Sequence, residues 1–324
     1  MNLSAPLSLP RYFAYLVFAI ATTSHARELD TITLRMDNDA PAGTDSQYTA
    51  GTEFDFAYKP WTEPGDDASY HNTLALGQWI YTPDLADELD IVEDDRPYAG
   101  WSYLRYGQHR SNRDTTKSWQ LTLGLVGPSS FAEDIQRAVH KVTGDDTPRG
   151  WRNQLSDEFG YALEHSRHTT RYRVNFGNER SLEISEGQRI SLGNIDTSLS
   201  QGFQLRFGRK LRTAPQPDRL GHPAGPLDDK TRFAHLDASF QPKRFYWLLG
   251  GKMSYVAQNL FLDGNSTTDS HSVAKHAFVH EIESGFSYSK PGFKLSFAMV
   301  YRSEEFKKQN GGQTFGSLSL TFQR

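Results

Sequence analysis

The residue types that could do chemistry in this chain gather in two short stretches. One is Asp37, Asn38 and Asp39, followed by Asp45, in the run DNDAPAGTDSQYTAG. Carboxylate and amide oxygens of this kind are the hard ligands that calcium prefers. The spacing is not that of an EF-hand, because Pro41 and Ala42 stand where a ligand and a glycine would be needed, and the run also reads as a solvated acidic turn. The other stretch is residues 127–155, GPSSFAEDIQRAVHKVTGDDTPRGWRNQL, where Gln136 and His140 lie four apart and share one helix face. Imidazole titrates near neutral pH, which makes His140 the candidate general base of a hydrolytic site. The sequence has no G-x-S-x-G elbow, no P-loop and no G-x-G-x-x-G, and without cysteine thiolate chemistry is excluded. His280-Glu281 begins the zinc-protease pattern H-E-x-x-H, but Ser284 takes the place of its second histidine.

Stepping outward from His140, the element that must carry it is a helix. Phe131, Ile135, Ala138, Val139 and Val142 recur at helical spacing, Ser129 or Ser130 can cap the start, Gly144 stops it and Pro148 lies beyond. Nearly everything else has a period of two. Ile32, Leu34 and Met36 alternate with Thr31, Thr33, Arg35 and Asp37; Trp119, Leu121, Leu123 and Leu125 alternate with Gln120, Thr122 and Gly124. The spacing predicts strands at 30–36, 48–58, 71–81, 98–110, 116–126, 158–170, 180–192, 197–209, 243–260, 276–288, 293–305 and 315–322. That makes about twelve, an even number as in single-chain bacterial barrels.

A soluble, secreted sandwich would also alternate. Three features favour a membrane barrel. Glu53, Asp55 and Arg206 sit mid-strand, where a wet lumen would solvate them. Tyr48, Tyr58, Trp79, Tyr81, Tyr98 and Trp101 cluster near strand ends like interfacial girdles. The last strand runs almost to the C-terminus, with Phe322 near the end. The expected fold is all-β, a transmembrane antiparallel β-barrel of about twelve strands with one extracellular-loop helix. With a periplasmic N-terminus, the loops at 37–47, 82–97 and 127–157 share the outer rim. In the second of these, Arg96 beside Asp94 and Asp95 could tie the loop by ion pairs, and Gly100 allows close approach. Residues 212–242, with Pro215, Pro217, Pro223 and Pro226 near their start, are long for a periplasmic turn and have room for a short extra strand near 233–240.

Composition agrees. Residues 1–26 read as a cleaved signal peptide, with Arg11 before a short apolar run and Ser24 and Ala26 at the cleavage site; residues 27–324 then form the barrel. The net charge of −4 and the mixed surface make nucleic acid an unexpected partner. Aromatic residues make up 13% while mean hydropathy is −0.63, which suits strands apolar on one face only.

Taken together the motifs resemble the outer-membrane lipid A 3′-O-deacylase family of Gram-negative bacteria. The matching pieces are Asn38-Asp39, Tyr48-Thr49-Ala50-Gly51, Asp95-Arg96-Pro97-Tyr98-Ala99-Gly100-Trp101, Gly127-Pro128, Gln136, His140, Gly150-Trp151 with Gln154, and residues 257–264, AQNLFLDG. The resemblance implies a twelve-stranded barrel in the bacterial cell outer membrane, monomeric, with its active site between the barrel wall and a loop helix. It implies calcium-dependent hydrolysis of an ester-linked acyl chain of lipid A, the anchor of lipopolysaccharide. His140 would be the base, Asp39 would hold the calcium, Asn38 and Gln136 would stabilise the oxyanion, and the family threonine falls on Thr49. One departure is Glu88, within the acidic run Asp84, Asp87, Glu88, Asp90, at about the position where a characterised family member carries a lysine suited to a lipid A phosphate. The alternative is a non-enzymatic barrel of the same fold, a small porin or scaffold.

Overall fold

The computed structural model describes residues 28–39, 47–84, 88–112, 114–144, 146, 148–177, 179–209, 211 and 244–324. The expected signal peptide, Asp45 and the segment 212–242 lie outside them. Strands run β1 Leu29–Asn38, β2 Gln47–Tyr58, β3 Trp61–Thr62, β4 Ser69–Thr82, β5 Ala99–Ser111, β6 Thr115–Val126, β7 Glu158–Phe176, β8 Arg180–Gly193, β9 Asp196–Arg209, β10 Arg244–Asn259, β11 Phe278–Lys290, β12 Phe293–Arg302 and β13 Gln313–Gln323. Each pairs antiparallel with its neighbours, and β1–β13 and β2–β4 pairing closes the ring. Twelve strands form the wall; β3, two residues long, is an appendage of β4. The expected barrel is therefore observed.

Alternation becomes inside and outside. Along β1, Thr31, Thr33, Arg35 and Asp37 are buried in the lumen, while Ile32 and Met36 are exposed outward. Register carries this around the wall. Leu34, Phe54, Leu76, Leu104, Leu123 and Tyr161 face one another in turn across six strands, a continuous apolar row. Such a row is unfavourable in water and fits a hydrocarbon layer. Charges in the lumen are paired around Glu53. Glu53 accepts from Arg35 at 3.1 Å and from the Tyr103 hydroxyl at 2.7 Å, and Arg105 lies 3.1 Å from it. A carboxylate removed from bulk water needs such partners.

One rim carries the loops at 39–46, 83–98, 127–157, 260–277 and 303–312 and, among the described residues, all the helical turns of more than one residue. At the opposite end four of the five connections have ten residues or fewer, 210–243 being the exception, and in such barrels the longer loops mark the outer end, so this is the outer rim. Just below it the lumen is filled. The short helix α2 (Leu260–Asp263; α1 is Ala132–Thr143) drops in from β10, and Phe261 stacks on Tyr81 of β4 with ring centres 4.6 Å apart. These strands stand six apart in a ring of twelve, so the contact spans the barrel. Trp79, Trp101 and Phe315 complete the plug. This corrects the expectation of an aromatic girdle: Tyr48, Trp79, Tyr81 and Trp101 are buried inside, and Tyr98 lies beneath α1. Loops knit over the plug. The Arg96 guanidinium lies 4.3 Å over the Tyr81 ring and 3.4 Å from Glu305, and only its backbone N–H donates to Asp95, while Asp94 pairs with Lys308 and the Asp95 carbonyl accepts from His271.

Candidate active site

Helix α1 starts from a tight turn. Gly127 has φ +88°, Pro128 follows, and Phe131 at φ +57° occupies the N-cap, so neither Ser129 nor Ser130 caps in the ordinary way. A left-handed phenylalanine is uncommon, and strain of this kind persists only where surrounding contacts hold it. Ser129 is held by Asp157, and Ser130 by the barrel itself. At the other end Gly144, φ +85°, donates its N–H to the His140 carbonyl and stops the helix as expected.

The face of the wall that receives α1 is the outer one. Asn38, Ala50, Ile80 and Gly100 are register partners across β1, β2, β4 and β5, on the same outward parity as Met36 and Leu34. One pleat lower, Thr52, Gln78 and Ser102 interrupt the apolar exterior. The helix explains two of these three: Gln78 Nε2 and the Ser102 hydroxyl donate to the Ser130 carbonyl at 2.8 and 2.7 Å. Gly100 is required at the contact. A Cβ there would lie 2.1 Å from Cβ of Ala132, where no atom fits. Ile80, Tyr98, Ala132 and Trp151 form a small core between helix and wall.

Gln136 and His140 are 3% and 6% exposed, turned toward that core. His140 Nδ1 lies 2.6 Å from the Asp146 carbonyl oxygen, which can only accept. Nδ1 therefore carries the proton, leaving the lone pair on Nε2. Gln136 Oε1 accepts from Trp151 Nε1 at 2.8 Å, which fixes the amide so that Nε2 is its donor end; that buried NH₂ has no acceptor among the described residues. A buried donor in this state costs about 1–3 kcal/mol and suits an incoming oxygen.

Asn38, Asp39 and Thr49 form the other half. The Thr49 carbonyl accepts from Asn38 Nδ2 at 3.3 Å and from the Asp39 N–H at 3.4 Å, and the Thr49 hydroxyl meets that of Thr82 at 2.7 Å. The Asp39 carboxylate, the Thr49 carbonyl and the hydroxyls are all oxygen donors, the set a hard cation takes. The two halves share the outward face and the outer rim, with β4 between them carrying Thr82 beside Thr49 and Ile80 beneath α1. All five residues singled out in the sequence thus lie on one sector of the rim. Sequence reasoning found no role for Trp151, Asp146 or Thr82. Trp151 was visible only as part of a motif, and a carbonyl partner such as that of Asp146 leaves no trace in residue type. Glu88 is exposed, and its loop is pinned by Arg152 and Asn153 donating to the Leu89 carbonyl at 2.8 Å.

The model of the family described as outer membrane protein LpxR matches residues 11–324. Among solved structures the chain is similar to LpxR from Salmonella typhimurium, with 17% sequence identity and a TM-score of 0.73 over 90% of this chain and 99% of that one. It also aligns with the beta domain of the Bordetella autotransporter BrkA, at 12% identity and a TM-score of 0.45 over 91% of this chain and 98% of that one. The translocator domain of the autotransporter NalP from Neisseria meningitidis aligns at 9% identity and a TM-score of 0.40, over 97% and 95%. No curated protein sequence matches this chain.

Proposed function

The chain belongs to the outer membrane protein LpxR family, and from that premise we propose that it hydrolyses an ester-linked acyl chain of lipid A in the outer leaflet, with calcium. The observation that carries this reading is the pair on α1: an imidazole with its lone pair held on Nε2, beside a buried amide donor with no acceptor. His140 Nε2 takes a proton from water as the water oxygen bonds to the ester carbonyl carbon. The carbonyl oxygen, gaining negative charge, is stabilised by Gln136 Nε2–H and by the Asn38 amide. Collapse breaks the bond to the sugar oxygen, which takes the proton from His140, giving a free hydroxyl and a fatty acid. Thr49 acts through Asn38, whose side chain it holds. Asp39 and the Thr49 carbonyl would hold calcium, which when bound polarises an ester carbonyl as a Lewis acid. The lumen, crossed by Phe261, speaks against the small-porin alternative.

Mass spectrometry of lipid A tests the proposal. Expression in a Gram-negative host should remove one ester-linked acyl chain; His140→Ala should leave a folded barrel and intact lipid A, and a calcium chelator should do the same to the unaltered protein. Lipid A unchanged by the active chain in calcium, or hydrolysis surviving His140→Ala, overturns it.

A further inference from the structure

Helix α1 is built the wrong way round for a helix in water. Its polar residues Gln136 and His140 are buried, whereas Phe131, Ile135, Val139 and Val142 are 64%, 45%, 52% and 87% exposed. At spacings of four, four and three these form one stripe. Asp134, Arg137 and Lys141 project from a third face, and all are exposed. A globular surface helix has its apolar stripe inward and its charges outward.

The wall shows what covers the stripe. Ser130 docks on Gln78 and Ser102, and Ala132 on Gly100, all on the outer face of the barrel. The row of Gln78 and Ser102 continues through Thr52 into Met36 on one side and into Leu125 and Phe159 on the other, and Met36 and Phe159 are exposed. Two residues further down each strand, about 7 Å along it, runs the apolar row through Phe54 and Leu76. The stripe of α1 therefore continues the lipid-facing surface of an outer-membrane barrel. Leu89 and Ile91 are exposed as well, in the loop fastened to Arg152 and Asn153.

We propose that α1 is an interfacial helix whose stripe Phe131, Ile135, Val139 and Val142 is immersed in the acyl layer of the outer leaflet. The cleft carrying Gln136 and His140 then opens sideways onto lipid, not upward into water. A polar cleft with an apolar threshold admits the ester region of a lipid whose chains never leave the hydrocarbon. Lateral access rests on the proposed function; immersion of the helix does not.

The chain has no cysteine, so one introduced thiol can be labelled without competition. Val139→Cys and Val142→Cys report on the stripe, Arg137→Cys and Lys141→Cys on the charged face. Each full-length variant is labelled with a nitrobenzoxadiazole fluorophore and reconstituted into phosphatidylethanolamine–phosphatidylglycerol vesicles. Nitroxide on the lipid acyl chains should quench the stripe labels several-fold more than the charged-face labels, and aqueous iodide should show the reverse order. Heat-modifiable electrophoretic mobility confirms that each barrel is folded. Stripe labels that iodide quenches as strongly as the charged-face labels, with no excess quenching by nitroxide, overturn the proposal. The readout needs no catalysis, so a protein that leaves lipid A intact would sink the proposed activity and still decide this point.

Discussion

Two helices sit at the same rim on opposite sides of one wall. α2 hangs inside, and Leu260, Phe261 and Leu262 are all buried against other side chains of the lumen. α1 lies outside, with its polar residues buried and its apolar ones exposed. The contrast shows that burial here follows the medium beyond each surface. Inside, a charged lumen is closed by aromatic packing; outside, a helix lays its polar residues against a polar seat on the wall and turns its apolar ones away from it. On the function proposed above, one helix serves the barrel and the other the chemistry, so variants should separate along that line.

The largest effect is expected from His140→Ala, which should lower acyl release by about 10³-fold or more, within the range for a lost general base, while leaving thermal unfolding unchanged. A comparable loss from an α2 variant would erase the distinction. Phe261→Ala should do the converse. Removing a buried aromatic costs about 3–5 kcal/mol, so unfolding should occur at lower temperature and single-channel conductance should rise, with lipid A hydrolysis retained. Gly100→Ala drives a methyl into Ala132 and should displace α1 from the wall, lowering hydrolysis about 10²-fold in a barrel of normal heat stability. Trp151→Phe keeps the packing and removes the donor to Gln136. A loss of about tenfold in kcat with KM unchanged would place its role in orienting that amide.

The smallest effect belongs to the opposite rim. Asp66 is held down to about 2 by the Tyr70 hydroxyl first, then the Ala68 N–H and Arg110. A depressed carboxyl contributes stability above its unfolded value of about 3.9 and loses it as pH falls toward 2. Asp66→Asn should therefore remove that small contribution at neutral pH, leave hydrolysis unaltered and flatten the acid limb of an unfolding-versus-pH curve. A change at pH 7 in activity would mean that the two rims communicate.

Much of the barrel was legible because a period of two survives in every wall strand. The strand expected at 48–58 is Gln47–Tyr58, and that at 116–126 is Thr115–Val126. An even count then placed Asn38, Asp39, Thr49, Gln136 and His140 on one rim. The aromatic residues misled, since near the rim both faces of a strand carry large apolar groups. Trp79 points in and Ile80 out, and alternation alone assigns neither to lipid.

For α1, residue spacing determined that a helix would form, where Gly144 would end it, and that Gln136 and His140 would share a face. It could not determine which face would be covered. That depended on Gly100, Gln78 and Ser102, brought together from β4 and β5 by strand register to make a flat polar seat on the outer wall. It depended too on Trp151 and the Asp146 carbonyl, which orient the amide and the imidazole from beyond the helix end. Local sequence determines periodicity because backbone geometry repeats. Which side of a wall an element packs against is decided only when distant strands have met.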